Sequence, residues 1–314
     1  MQPLRHFDIA DLRRFAARFD QGAMEAWLAE LLERHGSHEF AGPDYTPRLA
    51  ARLREVVIAG RPASCLRLGD GEGNILAADD TIFRNLQRLA AEKAAEIHLG
   101  RWFPDSVLRS WSREMLAAIG NADVVGVPCT DRIAGLYRDL QHPPPDARPD
   151  IRGACGTINA LRFAYAALSQ ATPRRVVTNC AFHRTLLPHY RSILGPAARL
   201  GVIGCHPELP DKLKTAFGAR QVDFFAIPNQ ASNTGKRSGP PHYPDRFNAV
   251  TDSLSGIEKG QVVLVAAGIL GKLYCDRVKQ CGGIALDIGS VADVWVGRRA
   301  RRYHKPAYLD RWKL

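Results

Sequence analysis

The sequence predicts an α/β fold: a mostly parallel, Rossmann-like sheet with helices on both faces and an N-terminal helical extension. Seven short β-rich runs alternate with helical stretches, and these runs are continuously apolar, as strands buried on both faces of a parallel sheet are. Most polar clusters directly follow such a run, where parallel sheets bind ligands. The runs are residues 65–68, 123–127, 175–178, 200–203, 222–227, 262–266 and 284–288.

The N-terminal extension is predicted at residues 1–45, ahead of a main domain at residues 46–314. Apolar side chains recur at helical spacing on either side of a break at residues 20–22, and a linker is expected at residues 41–44. A further helix is expected at about residues 47–59. We expect the apolar stripe to cover the main domain or a second copy of the chain, which would give a homo-oligomer. The stripe consists of Leu12, Phe15, Phe19, Met24, Trp27, Leu28 and Leu31.

The composition favours a globular protein without a membrane-spanning helix or a zinc site. The chain has 314 residues, 46% of them hydrophobic, which is ample for a sizeable core. No run approaches the roughly 20 apolar residues of a membrane-spanning helix, and the first residues lack the apolar stretch of a signal peptide. The seven cysteines include no Cys-x-x-Cys pair. Reduced thiols in a cytoplasmic protein are therefore expected, and a zinc site is not.

A formal net charge of +11 indicates acidic partners. Nucleotide phosphates and phospholipid-linked acceptors fit this charge, and a peripheral membrane contact stays open. Nucleic acid is not expected, because no aromatic stacking motif or nucleic-acid module accompanies the basic residues. The densest basic run, residues 298–305, is compatible with a solvated tail or a phosphate clamp.

The first candidate site is the acidic, glycine-rich motif that follows the first predicted strand. In an extended segment, Asp70 and Glu72 would leave the same face, so their carboxylates could converge on one metal ion. Gly69 and Gly71 could let a bulky anion approach the main chain. A glycine-rich turn with both acids facing water is the alternative. The spacing does not match G-x-G-x-x-G, which excludes a standard Rossmann dehydrogenase.

A second candidate site is the turn after the strand at residues 262–266. Gly268 and Gly271 open a predicted helix whose amides could seat a phosphate, with Lys272 as an added positive charge. Ala266 and Leu273 stand where a Walker A loop needs glycine and serine or threonine, which disfavours an ATPase of that type. The alternative is a tight strand-to-helix turn with an exposed lysine.

The third candidate is Asp287, at the end of the last predicted strand. It could act as a catalytic base or orient a sugar hydroxyl. Ser290 or Asp293 could cap the turn that follows. A long polar segment, residues 228–240, is compatible with a lid that closes over a diphosphate through Lys236 and Arg237, or with solvated charge.

Three motifs together resemble one family. Leu66-Arg67-x-Gly69-Asp70-Gly71-Glu72, then Gly268-x-x-Gly271-Lys272, then Ala285-Leu286-Asp287-Ile288-Gly289 resemble the GT-D fold glycosyltransferases, over roughly residues 50 to 300. The resemblance implies transfer of a sugar from a nucleoside diphosphate donor, with a UDP-sugar expected, to a glycan, lipid-linked or protein acceptor. It also implies Mn²⁺ or Mg²⁺ as the cofactor.

The resemblance also assigns roles to residues. It places Asp70 and Glu72 at the metal and diphosphate, as metal ligands and catalytic groups, with Arg67, Gly69 and Gly71 beside them. Gly268, Gly271 and Lys272 would contact the nucleotide phosphates. Asp287 would lie in the same cleft and is the first candidate for the base. Ser290 departs from the pattern, because several family members have histidine after the Asp-Ile-Gly motif.

Two other functions remain as alternatives to a transferase. A nucleotide- or phosphosugar-binding protein without catalytic activity could use the same basic cleft. A metal-dependent phosphohydrolase is disfavoured, because the predicted strand ends offer no His-x-Asp or Asp-x-Asp array.

Overall fold

A computed structural model of the chain describes residues 9–35, 45–142, 151–171, 175–229 and 240–314. Within these residues, seven strands form one parallel sheet in the order β3-β2-β1-β7-β6-β4-β5. Each strand overlaps one of the predicted runs, so the predicted α/β class and parallel Rossmann-like sheet are confirmed. The strands are β1 Ala63–Arg67, β2 Val124–Val127, β3 Val176–Asn179, β4 Arg199–Gly204, β5 Gln221–Ala226, β6 Val262–Val265 and β7 Ile284–Asp287.

Helices precede and connect the strands. Before β1 come α1 Ile9–Arg18, α2 Gln21–Arg34 and α3 Tyr45–Ala59. Between β1 and β3 lie α4 Asp70–Leu76, α5 Arg84–Leu99, α6 Asp105–Asn121, α7 Thr130–Gln141 and α8 Ile151–Leu168. After β3 come α9 Phe182–Thr185, α10 Tyr190–Leu194, α11 Leu209–Phe217, α12 Phe247–Ser253, α13 Gly271–Gln280, α14 Val291–Trp295 and α15 Pro306–Trp312.

The chain divides into two compact units, each built from two segments. The first unit comprises residues 1–40 and 67–180, and the second comprises residues 41–66 and 181–314. The chain passes from one unit to the other three times, at residues 40–41, 66–67 and 180–181, and the second of these positions falls within β1. The predicted boundary between an extension at residues 1–45 and a catalytic domain at residues 46–314 stays a prediction.

In the first unit, the two N-terminal helices pack against α8. Asp20 caps α2 by accepting a hydrogen bond from the Ala23 amide at 2.9 Å, which confirms the predicted break at residues 20–22. The apolar stripe is buried inside this unit, at Leu12, Phe15, Phe19, Met24, Leu28 and Leu31. Because the chain itself covers these apolar side chains, they do not need a second copy to bury them. A homo-oligomer through these helices stays a prediction.

In the second unit, the core lies around β6 and β7, whose residues are all buried. Burial of every residue explains why these strands read as continuous apolar runs rather than alternating ones. Trp295 is also buried in this unit, with its ring 5.0 Å from that of Tyr190 and 5.6 Å from that of Phe217. The helix that begins directly after β6 is α13, so its first residues are held at the carboxyl end of a rigid strand.

Some sequence predictions fall outside the described residues. These are the linker at residues 41–44 and the central part of the polar segment, including Lys236 and Arg237. None of the helices in the described part of the chain combines the length and the apolar character needed to cross a bilayer.

Candidate functional site

The acidic motif after β1 begins a helix, so the expectation of an extended segment at residues 70–72 is wrong. Gly69 is the N-cap of α4 in extended conformation, and Asp70 is the first helical residue. The Glu72 carboxylate accepts a hydrogen bond from the Gly69 amide at 2.9 Å, which satisfies a donor that the helix leaves without a partner. On a helix, residues two apart point about 200° from each other. The Asp70 and Glu72 side chains therefore diverge.

Asp70 faces two arginines instead of a second carboxylate. Its Oδ2 lies 2.6 Å from Arg152 Nη1, and its Oδ1 lies 3.7 Å from Arg132 Nη2. Arg132 also donates to Thr157 Oγ1 at 3.3 Å and lies 4.0 Å from Cys180 Sγ. These arginines come from the first turns of α8 and α7, where the helix dipole also favours negative charge.

Two glycines bring Asp70 and Arg152 together by letting α4 and α8 approach closely. A Cβ on Gly73 would lie 1.8 Å from the Gly156 carbonyl oxygen, and a Cβ on Gly156 would lie 1.9 Å from the Asp70 carbonyl oxygen. Asn74 Nδ2 donates to the Arg152 carbonyl oxygen at 3.0 Å, which ties the two helices together at this crossing. Any side chain at position 73 or 156 would push the two helices apart.

A cavity of about 530 Å³ opens beside Asp70. This volume is in the range of small-molecule pockets, roughly 300–1,000 Å³. Its polar lining comprises Asp70, Arg132, Thr157 and Asp139. Asp139 lies seven residues, or about 10 Å, beyond Arg132 along α7. The apolar lining includes Leu136, Leu140 and Ala154. The lining can therefore contact a ligand that has both polar and apolar parts.

The acidic pair, as placed, does not fit Mn²⁺ or Mg²⁺. Glu72 is 4% exposed and its carboxylate is engaged by the Gly69 amide, whereas Asp70 is flanked by two guanidinium groups that would repel a cation. Among the described residues, no group of three or more histidine, cysteine or acidic side chains could hold a metal ion. The predicted cofactor stays a prediction from the resemblance.

The other predicted residues of this region follow β1. Arg67 is the last residue of the strand, Gly69 is the helix cap, and Gly71 is buried in α4. Their predicted role in nucleotide binding stays a prediction.

The turn after β6 has a different arrangement from the one expected. Gly268 has a φ of +57°, and a single 3₁₀ turn leads into α13 at Gly271. Lys272 is neither exposed nor directed to solvent: its Nζ lies 2.5 Å from Asp287 Oδ2, with the two side chains 1% and 3% exposed. Asp287 Oδ1 accepts from the Gly289 amide at 3.1 Å. The alternative of an exposed lysine is therefore wrong.

The three motifs lie at carboxyl ends of neighbouring parallel strands. Asp70 follows β1, Gly268 follows β6, and Asp287 is the last residue of β7, with β7 paired to both of the other strands. Ligands bind beyond this end of strands in such sheets. The single cleft predicted for these residues stays a prediction.

A buried histidine and a half-buried aspartate form a pair that the sequence reasoning missed. His206, 2% exposed, follows β4, and its Nε2 lies 3.0 Å from Asp293 Oδ1 and 3.7 Å from Cys205 Sγ. Burial lowers the pKa of His206, but the hydrogen bonds with Asp293 and Cys205 outweigh it and raise the pKa to about 9. The adjacent Cys205-His206 at a strand end was the available sequence signal.

Neither residue proposed as a cap for the last turn uses its side chain in that way. Ser290 occupies the N-cap position of α14, but its hydroxyl pairs with the Tyr303 hydroxyl at 2.6 Å. Arg184 lies over the Tyr303 ring, 4.5 Å from its centre. Asp293 pairs with His206, as described above.

Comparison with known proteins supports the class of fold for part of the chain. Residues 45–144 match a family model described as a GT-D fold-like domain. No curated protein matches the chain, and no solved structure matches it. The resemblance to the GT-D fold family is thereby confirmed over a segment that contains Asp70, Glu72 and Arg132, while Lys272 and Asp287 lie outside it.

Proposed function

We propose that this protein is a glycosyltransferase that takes a sugar from a nucleoside diphosphate donor, with a UDP-sugar as first choice. The acceptor is a glycan, a lipid-linked molecule or a protein. The observation that carries the proposal is the cavity beside Asp70, because six of its nine lining residues, Asp70 and Arg132 among them, lie in the segment that matches a GT-D fold-like domain. A cavity of about 530 Å³ is large enough for a nucleoside diphosphate.

The chemistry of sugar transfer needs fixed positive groups at the diphosphate. As the bond to the sugar breaks, the departing nucleoside diphosphate develops negative charge, and fixed positive groups stabilise that charge. Arg132 and Arg152 supply such groups within reach of the same point, next to Asp70. Guanidinium groups match phosphate oxygens through paired hydrogen bonds.

Asp287 is the proposed base for the acceptor hydroxyl. In this arrangement its Oδ2 must leave the Lys272 ammonium before it can accept a proton. The expected consequence is that Asp287→Asn lowers sugar transfer far more than it lowers UDP binding.

A non-catalytic nucleotide- or phosphosugar-binding protein is the second candidate. The observation that favours it is that both Asp287 oxygens already accept from donors, Lys272 and the Gly289 amide. A binding protein needs the cavity but no base.

Two assays separate these functions. A thermal-shift screen of nucleotide sugars, with Mn²⁺ and with EDTA, identifies the donor, because a ligand that binds only the folded state raises apparent stability. Donor hydrolysis and transfer are then measured with and without glycan acceptors. Stabilisation together with sugar release supports the transferase, and stabilisation without any turnover supports the binding protein. Absence of stabilisation by every nucleotide sugar contradicts both.

A further inference from the structure

We infer that Arg132 and Arg152 hold the donor diphosphate directly, without a divalent cation, and that Asp70 occupies the anion position while the cavity is empty. This inference rests on the proposed function. It departs from the metal expected from the resemblance, and it follows from how the side chains meet. Two guanidinium groups converge on the Asp70 carboxylate, Arg152 at 2.6 Å and Arg132 at 3.7 Å. Asp70 and Arg132 line the cavity, and Arg152 adjoins it through its contact with Asp70.

The contacts of Arg132 are long, so a ligand can replace them. Its distances to Asp70, Thr157 and Cys180 are 3.7, 3.3 and 4.0 Å, all longer than a strong charge-assisted hydrogen bond of about 2.7–2.9 Å. Its side chain is 41% exposed. A phosphate group offers shorter, paired hydrogen bonds and two negative charges, so it should displace Asp70 from this guanidinium.

Arg152 is the fixed member of the pair. Its Nη1 lies 2.6 Å from Asp70, and its backbone carbonyl is held by Asn74. Because Gly73 and Gly156 set the separation of α4 and α8, the position of Arg152 depends on helix packing rather than on a ligand. The packing of the helices therefore holds the Arg152 guanidinium in place, whereas the Arg132 guanidinium can move onto a bound phosphate.

The rest of the cavity suits a nucleoside. Asp139 is seven residues after Arg132 on α7, which is two turns or about 10 Å along the helix. Its carboxylate can accept from ribose hydroxyls or from a base N–H at the far end. Leu136, between Arg132 and Asp139 on α7, and Leu140 give the base an apolar wall. This spacing keeps Asp139 away from the phosphates.

Diphosphate binding through a metal ion and diphosphate binding through the two arginines predict different effects of Asp70→Asn on UDP affinity. If a metal bound to Asp70 holds the diphosphate, Asp70→Asn weakens UDP binding. If the arginines hold it, Asp70→Asn removes the competing charge while one side-chain oxygen stays to orient Arg152. UDP affinity is then unchanged or tighter.

The experiment is calorimetric titration of the full chain with UDP and, separately, with inorganic pyrophosphate, each in Mn²⁺ and in EDTA. We expect affinities within about twofold in the two buffers. Arg132→Ala should weaken UDP binding at least about tenfold, the loss typical of a charged hydrogen bond, and Arg132→Lys should weaken it less. Arg138→Ala is the matched control, because this exposed arginine lies on the same helix and removes the same charge. Circular dichroism checks that each variant is folded.

The outcomes are distinguishable from those of the proposed function. Binding that needs Mn²⁺, or that weakens on Asp70→Asn, overturns the inference and leaves the transferase proposal standing. Equal losses for Arg132→Ala and Arg138→Ala also overturn it, because they indicate a general charge effect. Metal-independent UDP binding without donor turnover supports the inference while contradicting the transferase. If neither UDP nor pyrophosphate binds in either buffer, the inference is wrong.

Discussion

Lys272 and Asp287 form a buried ion pair in which the ammonium nitrogen lies 2.5 Å from the carboxylate. The lysine comes from the first turn of α13 and the aspartate from the last residue of β7. Each charge compensates the other in a place where the two side chains are only 1% and 3% exposed, so each side chain depends on its partner. The two residues thus belong to one structural unit, although the sequence suggested separate roles for them.

We predict that Lys272→Met lowers the free energy of unfolding by about 3–5 kcal/mol, because it leaves the Asp287 charge buried without compensation. Urea unfolding measures this change. Lys214→Met is the control, since Lys214 pairs with Asp211 at the surface, 3.5 Å away, and its loss should cost less than about 1 kcal/mol. Similar costs for the two variants would show that the buried pair contributes no special stability.

We predict that Gly156→Ala destabilises the fold by about 1–3 kcal/mol or more, because the added methyl group overlaps the Asp70 carbonyl oxygen. Gly120→Ala is the matched control. Gly120 lies in α6 with nothing within 4 Å of an added Cβ, and alanine there should stabilise the helix by up to about 1 kcal/mol. Thermal unfolding of the two variants should therefore shift in opposite directions. A shift in the same direction would contradict the close packing of α4 on α8.

We predict that the His206–Asp293 pair makes stability depend on pH. The folded-state pKa of His206, about 9, lies above the ordinary value of 6.5, so its contribution is complete below about pH 6.5 and is lost as the pH rises through about 9. Asp293→Asn should cost about 2 kcal/mol at pH 6 and much less at about pH 9.5. Urea unfolding at both pH values measures the difference.

Asp310→Asn, on the exposed α15, is the control for removal of one negative charge. Its effect should be small and nearly the same at both pH values. A cost for Asp293→Asn that does not change with pH would mean that His206 stays neutral in the folded protein.

We predict that Glu72→Gln acts on stability rather than on donor binding. The amide oxygen can still accept from the Gly69 amide, but it lacks the charge that favours the start of a helix, so we expect a loss of about 1 kcal/mol. UDP affinity in the presence of Mn²⁺ should stay within about twofold of wild type. Loss of UDP affinity in Mn²⁺ but not in EDTA would instead support a metal ligand at this position.

The positions of the strands could be read from the sequence because their signal is local. Each strand is a short apolar run, and β6 and β7 are apolar throughout because every residue is buried. The break between α1 and α2 was also local, since Asp20 caps the helix that follows it. The start of α4 carried a local signal as well, a glutamate three residues after the cap. This signal was outweighed by the expectation of an extended, glycine-rich turn.

The partners of the charged groups were decided only by the tertiary structure. Arg152 is 82 residues from Asp70 in the chain, and Asp287 is 15 residues from Lys272. No local pattern encodes such pairs, because they depend on how closely α4 packs on α8 and on where α13 starts beside β7. The sequence by itself determined which chemical groups stand at the ends of the strands. Packing determined which of them meet, because a carboxylate pairs with the nearest cation that the fold places beside it.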